Sequence, residues 1–116
     1  VATYFALNRI CSVIKNLAID KKMMLQNLEK TNGLYNSQRL MLKLLEKSDF
    51  SRENAYKIVQ DSAMESWKKN KNFKNIVIKN KKISKILNKK EIEDIFNIQY
   101  HLKNIDGIFE RVLNEK

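Results

Sequence analysis

A chain of 116 residues with no proline, two glycines, one cysteine and one histidine leaves no basis for a turn-rich β architecture, an internal disulfide or a four-ligand zinc site built from Cys and His. An apolar share of 43% and a charged share of 31% exclude a disordered chain, and no apolar run reaches the roughly 20 residues of a membrane helix. The net charge of +10 fits either an anionic partner, such as nucleic acid or a membrane surface, or a solvated basic face in a chain rich in Lys, Asn and Ile.

The length suits one domain with a modest core. Asn8, Arg9, Lys15 and Asn16 interrupt the first nineteen residues, which is not a secretory signal. The lone Cys11 points to a reducing compartment, and a cytoplasmic protein is expected. The chain starts at Val1 rather than Met, so a processed chain or a fragment of a longer protein is expected.

Residues 2–19 read as a helix. Ala6, Ile10, Val13 and Leu17 line one face, with Phe5, Leu7 and Ile14 beside it. So broad an apolar surface is expected to be covered on several sides. Asp20 is placed to cap a second helix over about 21–31, with Met24 and Leu28 facing inward. Gly33 then stops the chain, because a residue without Cβ takes the left-handed backbone freely.

The stretch from Thr31 to Trp67 holds the most regular pattern in the chain. Leu34, Leu40, Met41, Leu44 and Leu45 recur at helical spacing. Ser48-Asp49-Phe50-Ser51 breaks that pattern, and Ser51 is an N-cap with Glu53 in the first turn behind it. Ala55, Ile58, Val59, Ala63 and Trp67 make the next stripe, so the two helices are expected to pack as an antiparallel hairpin ending near Asn70. Trp67 and Phe73 are both expected in the core.

Beyond it the pattern weakens. Phe73, Ile76, Val77 and Ile78 suit one short helix, and Ile83, Ile86 and Leu87 another. Asn88 and Glu91 have capping-box spacing at the start of a helix over Lys89–Phe96. Asn97 is expected to cap a last helix, Ile98–Leu113, with Leu102, Ile105, Ile108, Phe109 and Val112 as its stripe. Gly107 inside that helix costs about 1 kcal/mol relative to Ala, and a close packing contact is its expected reason. The four methionines sit beside leucines and read as packing residues.

Little of this carries chemistry. There is no Gly-rich phosphate loop, no Cys-x-x-Cys or His-x-Glu pattern and no nucleophile motif. His101 reads as a structural residue rather than a catalytic base. Ser37, Gln38 and Arg39 could bind an anion, but near a helix start such residues more often satisfy free backbone groups and pair with a neighbouring carboxylate. Glu91, Glu93 and Asp94 read as the exposed face of a short helix. Lysines at 68, 69, 71, 74, 79, 81, 82, 85, 89 and 90, with no acid among them, read as a solvated basic surface.

The order of blocks is more telling. Asn27-Leu28, Thr31, Gly33-Leu34, Ser37-Gln38-Arg39, then Ser51-Arg52-Glu53-Asn54-Ala55-Tyr56, Val59-Gln60, Ala63-Met64 and Trp67 closely resemble the C-terminal region of the bacterial adenylosuccinate lyases. Phe96, Tyr100-His101-Leu102-Lys103-Asn104, Asp106 and Ile108-Phe109-Glu110-Arg111 continue the likeness, so it spans nearly the whole chain. The opening helix resembles the end of a long helix in that family's central bundle.

The resemblance implies an all-α fold: the end of a central-bundle helix over 1–19, then a small helical C-terminal domain of about five to six helices over 20–116. It implies membership of the fumarase/aspartase superfamily, homotetramers whose active sites each draw on three subunits, and no metal or organic cofactor. The implied activity is a β-elimination that releases fumarate from adenylosuccinate, giving AMP, and from the succinyl-carboxamide ribotide intermediate of purine synthesis. The family's general base is a serine on a flexible loop that runs into a Met-Pro-x-Lys-x-Asn-Pro segment, and this chain has no proline. The family's catalytic histidines lie in its N-terminal portion, and His101 matches none of them. The substrate-binding Ser and Arg of the bundle fall just upstream of Val1. No catalytic, cofactor-binding or metal-binding residue is therefore expected here, and the 116 residues alone are expected to be inactive. Thr31, Gly33, Ser37, Gln38 and Arg39 match a family motif and are expected to fix the joint between bundle and terminal domain. Asn97 stands where Asp is common, and 79–90 is more basic than usual. Two other readings remain: a small basic nucleic-acid-binding module, and self-association through the first helix. Neither a specific nucleic acid nor a membrane is expected as partner.

Overall fold

The computed structural model describes residues 1–114, and every regular element among them is helical. In chain order these are α1 (Ala2–Lys15), α2 (Lys21–Glu29), a 3-10 turn (Leu34–Asn36), α3 (Ser37–Lys47), α4 (Arg52–Lys69), α5 (Phe73–Lys79), α6 (Lys81–Ser84), α7 (Lys89–Ile95), α8 (Gln99–Leu102) and α9 (Ile105–Asn114). The all-α architecture is as expected. The pieces are shorter and more numerous because α6 and α8 are single turns.

The core lies in the middle of the chain. Leu40 and Leu44 of α3 pack with Ala55 and Val59 of α4, Phe73 and Val77 of α5, Ile83, Leu87, and Ile92 and Ile95 of α7. The α3–α4 hairpin is the centre of this cluster. Its turn holds because the Ser51 hydroxyl accepts from the Asn54 N–H at 3.2 Å, which satisfies one of the free donors of the α4 N-terminus. Leu34 lies in the 3-10 turn ahead of α3 and packs against the core from there.

On α4 the buried face is Ala55, Val59, Ser62 and Ser66. The serines fit because neither hydroxyl is left without a partner. Ser62 donates to the Ile58 carbonyl at 2.9 Å and accepts from Asn80 Nδ2 at 3.1 Å. Ser66 donates to the Lys71 carbonyl at 2.6 Å. Trp67 does not join the core: it is 73% exposed. One residue further on than Ser66, it is turned about 100° around the helix and faces outward. Phe73, by contrast, is fully buried. Helix α4 ends with Asn70 in the left-handed region (φ 48°). Its N–H reaches the Trp67 carbonyl and the Lys71 N–H the Ser66 carbonyl, which is the Schellman pattern of a helix stop.

Asparagines start the next three helices. Asn72, Asn80 and Asn88 accept from the N–H groups of Lys74, Lys82 and Glu91. At α7 the expected capping box is complete, since the Glu91 carboxylate also accepts from the Asn88 N–H at 2.9 Å.

The ends differ from expectation in four places. Helix α1 stops at Lys15 rather than near residue 19. Asp20 does cap α2, accepting from the Met23 N–H at 2.9 Å, but Met24 is 62% exposed and only Leu28 turns partly inward. The last helix is broken into α8 and α9. Asn97 accepts from the Gln99 N–H and starts the first piece. Asn104, a residue type that favours helix starts, supplies the carbonyl bonded by Ile108 N–H and starts the second. Gly107 has no heavy atom within 4 Å of where a Cβ would stand, so no close contact among the described residues accounts for it. None of the residues of α1, α2 or α9 is buried, and the molecule measures 62 × 35 × 25 Å.

Candidate functional site

The residues of the Thr31–Arg39 motif sit at a joint where the segment after α2 is tied to α5 and α7. Thr31 Oγ1 donates to the Leu28 carbonyl at 2.7 Å, closing the end of α2. Asn32 (φ 53°) and Gly33 (φ 83°) then take two successive left-handed conformations, a pairing that Asn and Gly tolerate best. A Cβ on Gly33 would stand 3.6 Å from the Phe96 ring, an ordinary contact, so the backbone angle and not space favours glycine. Asn32 makes two ties to the α4–α5 turn. Its Nδ2 donates to Asn70 Oδ1 at 2.9 Å, and its carbonyl accepts from the Phe73 N–H at 2.8 Å. Phe73 and Phe96 meet edge to face, 5.7 Å apart, beneath it.

Arg39 is the clamp of this site. Its guanidinium bonds the carbonyls of Asp94 and of Ile95, the latter at 3.0 Å, and pairs with the Asp94 carboxylate at 2.7 Å. A cation thus meets the carbonyls at the C-terminal end of α7, where the helix dipole favours it, adding a second bond to the Asp94 carbonyl that already accepts from the Asn97 N–H. The same guanidinium lies 3.5 Å over the Tyr100 ring, and Lys103 approaches that ring at 4.1 Å. One side chain therefore joins α3 to α7 and α8. Of the two sequence readings of Ser37-Gln38-Arg39, the structure gives Arg39 the carboxylate and backbone role. Ser37 opens α3 and Gln38 is exposed; neither joins the clamp.

His101 closes the same corner. Its Nε2 lies 3.0 Å from Oδ1 of Asn36, which is fully buried at the start of α3. Tyr35 and Tyr100 stand edge-on to the imidazole at 6.0 and 5.7 Å. Asn36 Nδ2 is buried without a partner among the described residues. Nothing here aligns a nucleophile with a base, and His101 holds α8 in place. Asn32, Asn36, Asn70 and Tyr100 also carry this joint; Asn32 and Asn36 were not singled out from the sequence, and Asn70 and Tyr100 were noted only as a hairpin end and as part of a family block. The Asn-Gly step at 32–33 was the available signal for the first; the others depend on tertiary neighbours.

Two open grooves border the joint. One, of about 610 Å³, runs between α2 and the joint and is lined by Leu25, Glu29, Gly33, Tyr35, Lys74 and Asn97 among others. The second, of about 640 Å³, lies between α3 and α4 and is lined by Ser37, Gln38, Met41, Arg52, Glu53, Tyr56 and Val59. It leads onto an outward stripe of α4 in which Tyr56, Met64 and Trp67 are all exposed.

The electrostatics are those of a scaffold. Hydrogen bonding from the Asn88 backbone, and then the Lys47 ammonium at 3.0 Å, hold the Glu91 carboxyl below its usual range. The hydrogen bond from Lys69 does the same for Glu65, and the one that Lys43 donates to Glu46 raises the pKa of the Lys43 ammonium. The 68–90 lysines are spread from the end of α4 to the start of α7; Lys69, Lys71 and Lys79 line one small cleft of about 310 Å³, where Lys69 is paired with Glu65, and Lys74 lines the first groove. Among the described residues no group of three or more His, Cys, Asp or Glu side chains is placed to hold a metal ion, and no helix is long and apolar enough to cross a membrane.

Known proteins resemble the chain across nearly its whole length. The family model described as "Adenylosuccinate lyase C-terminus" matches residues 33–112, from the joint glycine to the stripe of α9. The chain is 37% identical over 112 residues to the adenylosuccinate lyase of Thermotoga maritima, covering 97% of this chain and 26% of that protein. It is 41% identical over 112 residues to the adenylosuccinate lyase of Bacillus subtilis, with the same coverage of both, and 37% identical over 111 residues to that of Staphylococcus saprophyticus. The chain spans about a quarter of the length of these relatives.

Proposed function

The chain belongs to the adenylosuccinate lyase C-terminus family, and from that premise we propose that it serves as the structural C-terminal part of a cytoplasmic adenylosuccinate lyase. The whole enzyme eliminates fumarate from adenylosuccinate, giving AMP, and from the succinyl-carboxamide ribotide. It works as a homotetramer with active sites shared between subunits. In this reading residues 1–19 end a bundle helix and 20–116 form the terminal domain, which caps the bundle and shapes the entrance to the active site. None of its side chains takes part in the chemistry, and the 116 residues alone release no fumarate.

The observation that carries this is the match across 97% of the chain to relatives four times its length. The joint supports it: Thr31, Gly33 and Arg39 are occupied in holding helices together, and His101 is held by Asn36 rather than facing a nucleophile. A chimaera tests it. The Bacillus subtilis relative, cut where its match to this chain begins and joined to residues 1–116, is expected to release fumarate from adenylosuccinate, while the truncated relative and the isolated chain release none. A soluble, assembled chimaera without activity overturns the reading, and fumarate release by the isolated chain in proportion to its concentration overturns the structural role.

A further inference from the structure

Asn32-Gly33 is the chain's one Asn-Gly step. A side-chain amide so placed is open to attack by the backbone nitrogen of the next residue, and glycine, with no Cβ, leaves that nitrogen unshielded. The two reacting groups are held differently here. The Gly33 N–H has no hydrogen-bond partner among the described residues, so the nucleophile is free. Asn32 is tied down: its Nδ2 donates to Asn70 Oδ1 at 2.9 Å, and its backbone carbonyl accepts from the Phe73 N–H at 2.8 Å.

The backbone acts in the same sense as these ties. Asn32 is left-handed, with φ 53°. Ring closure must bring the Gly33 nitrogen into one plane with Cβ and Cγ of Asn32, and that needs a ψ outside the left-handed region. The closed joint therefore opposes the reaction and an open joint permits it. Opening is local: Asn32 and Gly33 are partly exposed, and α2 ahead of them has no buried residue, so the segment can part from α5 without unfolding the core.

We propose that Asn32 is a deamidation site gated by this joint. When the ties open, the Gly33 nitrogen gives up its proton to solvent and bonds to Asn32 Cγ. Nδ2 takes up a proton and leaves as ammonia, and a five-membered succinimide remains. Water then opens the ring at either carbonyl. Attack at Cγ gives aspartate, and attack at the main-chain carbonyl gives isoaspartate. Both products undo the joint. Aspartate has no Nδ2 to donate to Asn70. Isoaspartate carries the main chain through Cβ and Cγ, which displaces the carbonyl that the Phe73 N–H needs. The change is one-way, so each modified copy loses a tie between the segment after α2 and the α4–α5 turn. This chemistry belongs to the joint itself and does not depend on the lyase reading.

The test is to hold the 116-residue chain in mild alkali, folded or in urea, and to follow Asn32 by peptide mass spectrometry with aspartyl and isoaspartyl forms separated. In urea Asn32 is expected to be the fastest asparagine to react. In the folded chain it is expected to react at least about tenfold more slowly, because the open joint is a minor state. Asn70→Gly keeps the left-handed stop of α4 and removes the acceptor. It is expected to speed the folded reaction about two- to tenfold, the worth of one hydrogen bond, with the rate in urea unchanged. Asn70→Asp keeps an oxygen acceptor and is expected to restore the protection. The urea midpoint of each variant reports that the core still folds, and the deamidated chain, separated by charge, is expected to have a lower midpoint than the unmodified chain. An Asn32 that stays intact in urea overturns the site. Equal rates in the folded and unfolded chain, or a folded rate indifferent to Asn70→Gly, overturn the gate. A midpoint unmoved by deamidation overturns its effect on the joint.

Discussion

The middle of this chain and its two ends are built from the same kind of helix, and they meet opposite fates. Between Leu34 and Phe96 the main apolar stripes find one another within the chain, while the Tyr56, Met64 and Trp67 stripe of α4 stays exposed. Leu40 and Leu44 meet Ala55 and Val59, and Phe73, Val77, Ile83, Ile92 and Ile95 close over them. In 1–29 and 98–114 the stripes are as regular, yet no residue of α1, α2, α8 or α9 is buried. The difference lies in connection. Helices α3 and α4 are joined by a four-residue turn whose cap sets the angle; the single Asn80 turns the chain from α5 to α6, and residues 85–88, ending in the Asn88 cap, lead from α6 to α7. Helix α1 leads into a link whose residues are all exposed, and α8 hangs from the domain through Tyr100 and His101. A regular stripe shows that a face needs cover; only the turns decide whether the chain covers it itself.

The largest expected effect sharpens that contrast. Phe73→Ala removes a fully buried ring and is expected to cost about 3–5 kcal/mol, seen as a large drop in the urea midpoint. Phe109→Ala, measured at a concentration low enough to dissociate any dimer, is expected to change the same midpoint by no more than about 0.5 kcal/mol. Equal losses would show that the ends fold as part of the core. Next comes Arg39, the side chain that holds α8 to the middle. Arg39→Met is expected to cost about 1–3 kcal/mol through the lost charge-assisted bonds to α7. Arg39→Lys is expected to recover little, because an ammonium cannot bond two carbonyls and a carboxylate and stack on Tyr100 together. The urea midpoint gives the cost, and the NMR signals of the Tyr100 ring report whether α8 comes loose.

The middle was largely legible in the sequence. The stop at Gly33, the cap at Ser51 and the Asn88–Glu91 box are local devices, and each is made by residues within a few positions of one another. Trp67 was misplaced because the 3.6-residue period alone did not show that Ser62 and Ser66, with their hydroxyls satisfied, would be turned inward in its stead. The joint was half legible. Thr31, Gly33 and Arg39 were singled out, but the ties of Arg39 to Asp94 and of Asn32 to Asn70 span 55 and 38 positions, and nothing local announces them. The break between α8 and α9 was missed because the stripe runs on across it.

A smaller effect is expected in α9. Gly107 has no neighbour within 4 Å of a prospective Cβ, and its backbone is not in the left-handed region. Gly107→Ala is expected to stabilise the helix by about 1 kcal/mol, read as a gain in helical circular dichroism with the core's urea midpoint unchanged. A midpoint that rises as well would show α9 coupled to the core.

Acid separates the two regions most finely. Every ion pair among the described residues lies between Arg39 and Asp94, so protonating carboxylates should loosen the middle first. Glu91 is the clearest case. Its carboxylate accepts from the Asn88 N–H and pairs with Lys47, and both interactions lower its pKa. A carboxyl whose folded pKa is depressed stabilises the fold fully above its unfolded pKa, about 4.3 for Glu. That contribution is lost as the pH falls through the lower folded value. Glu91→Gln keeps an acceptor for the capping box but cannot titrate. The urea midpoint of the unaltered chain is therefore expected to fall more steeply with acid than that of Glu91→Gln, the two curves converging below the folded pKa. Parallel curves would mean that the start of α7 does not depend on the charge of Glu91, and the acid sensitivity of the middle would then rest on Glu65, whose carboxyl the Lys69 ammonium holds below its usual range.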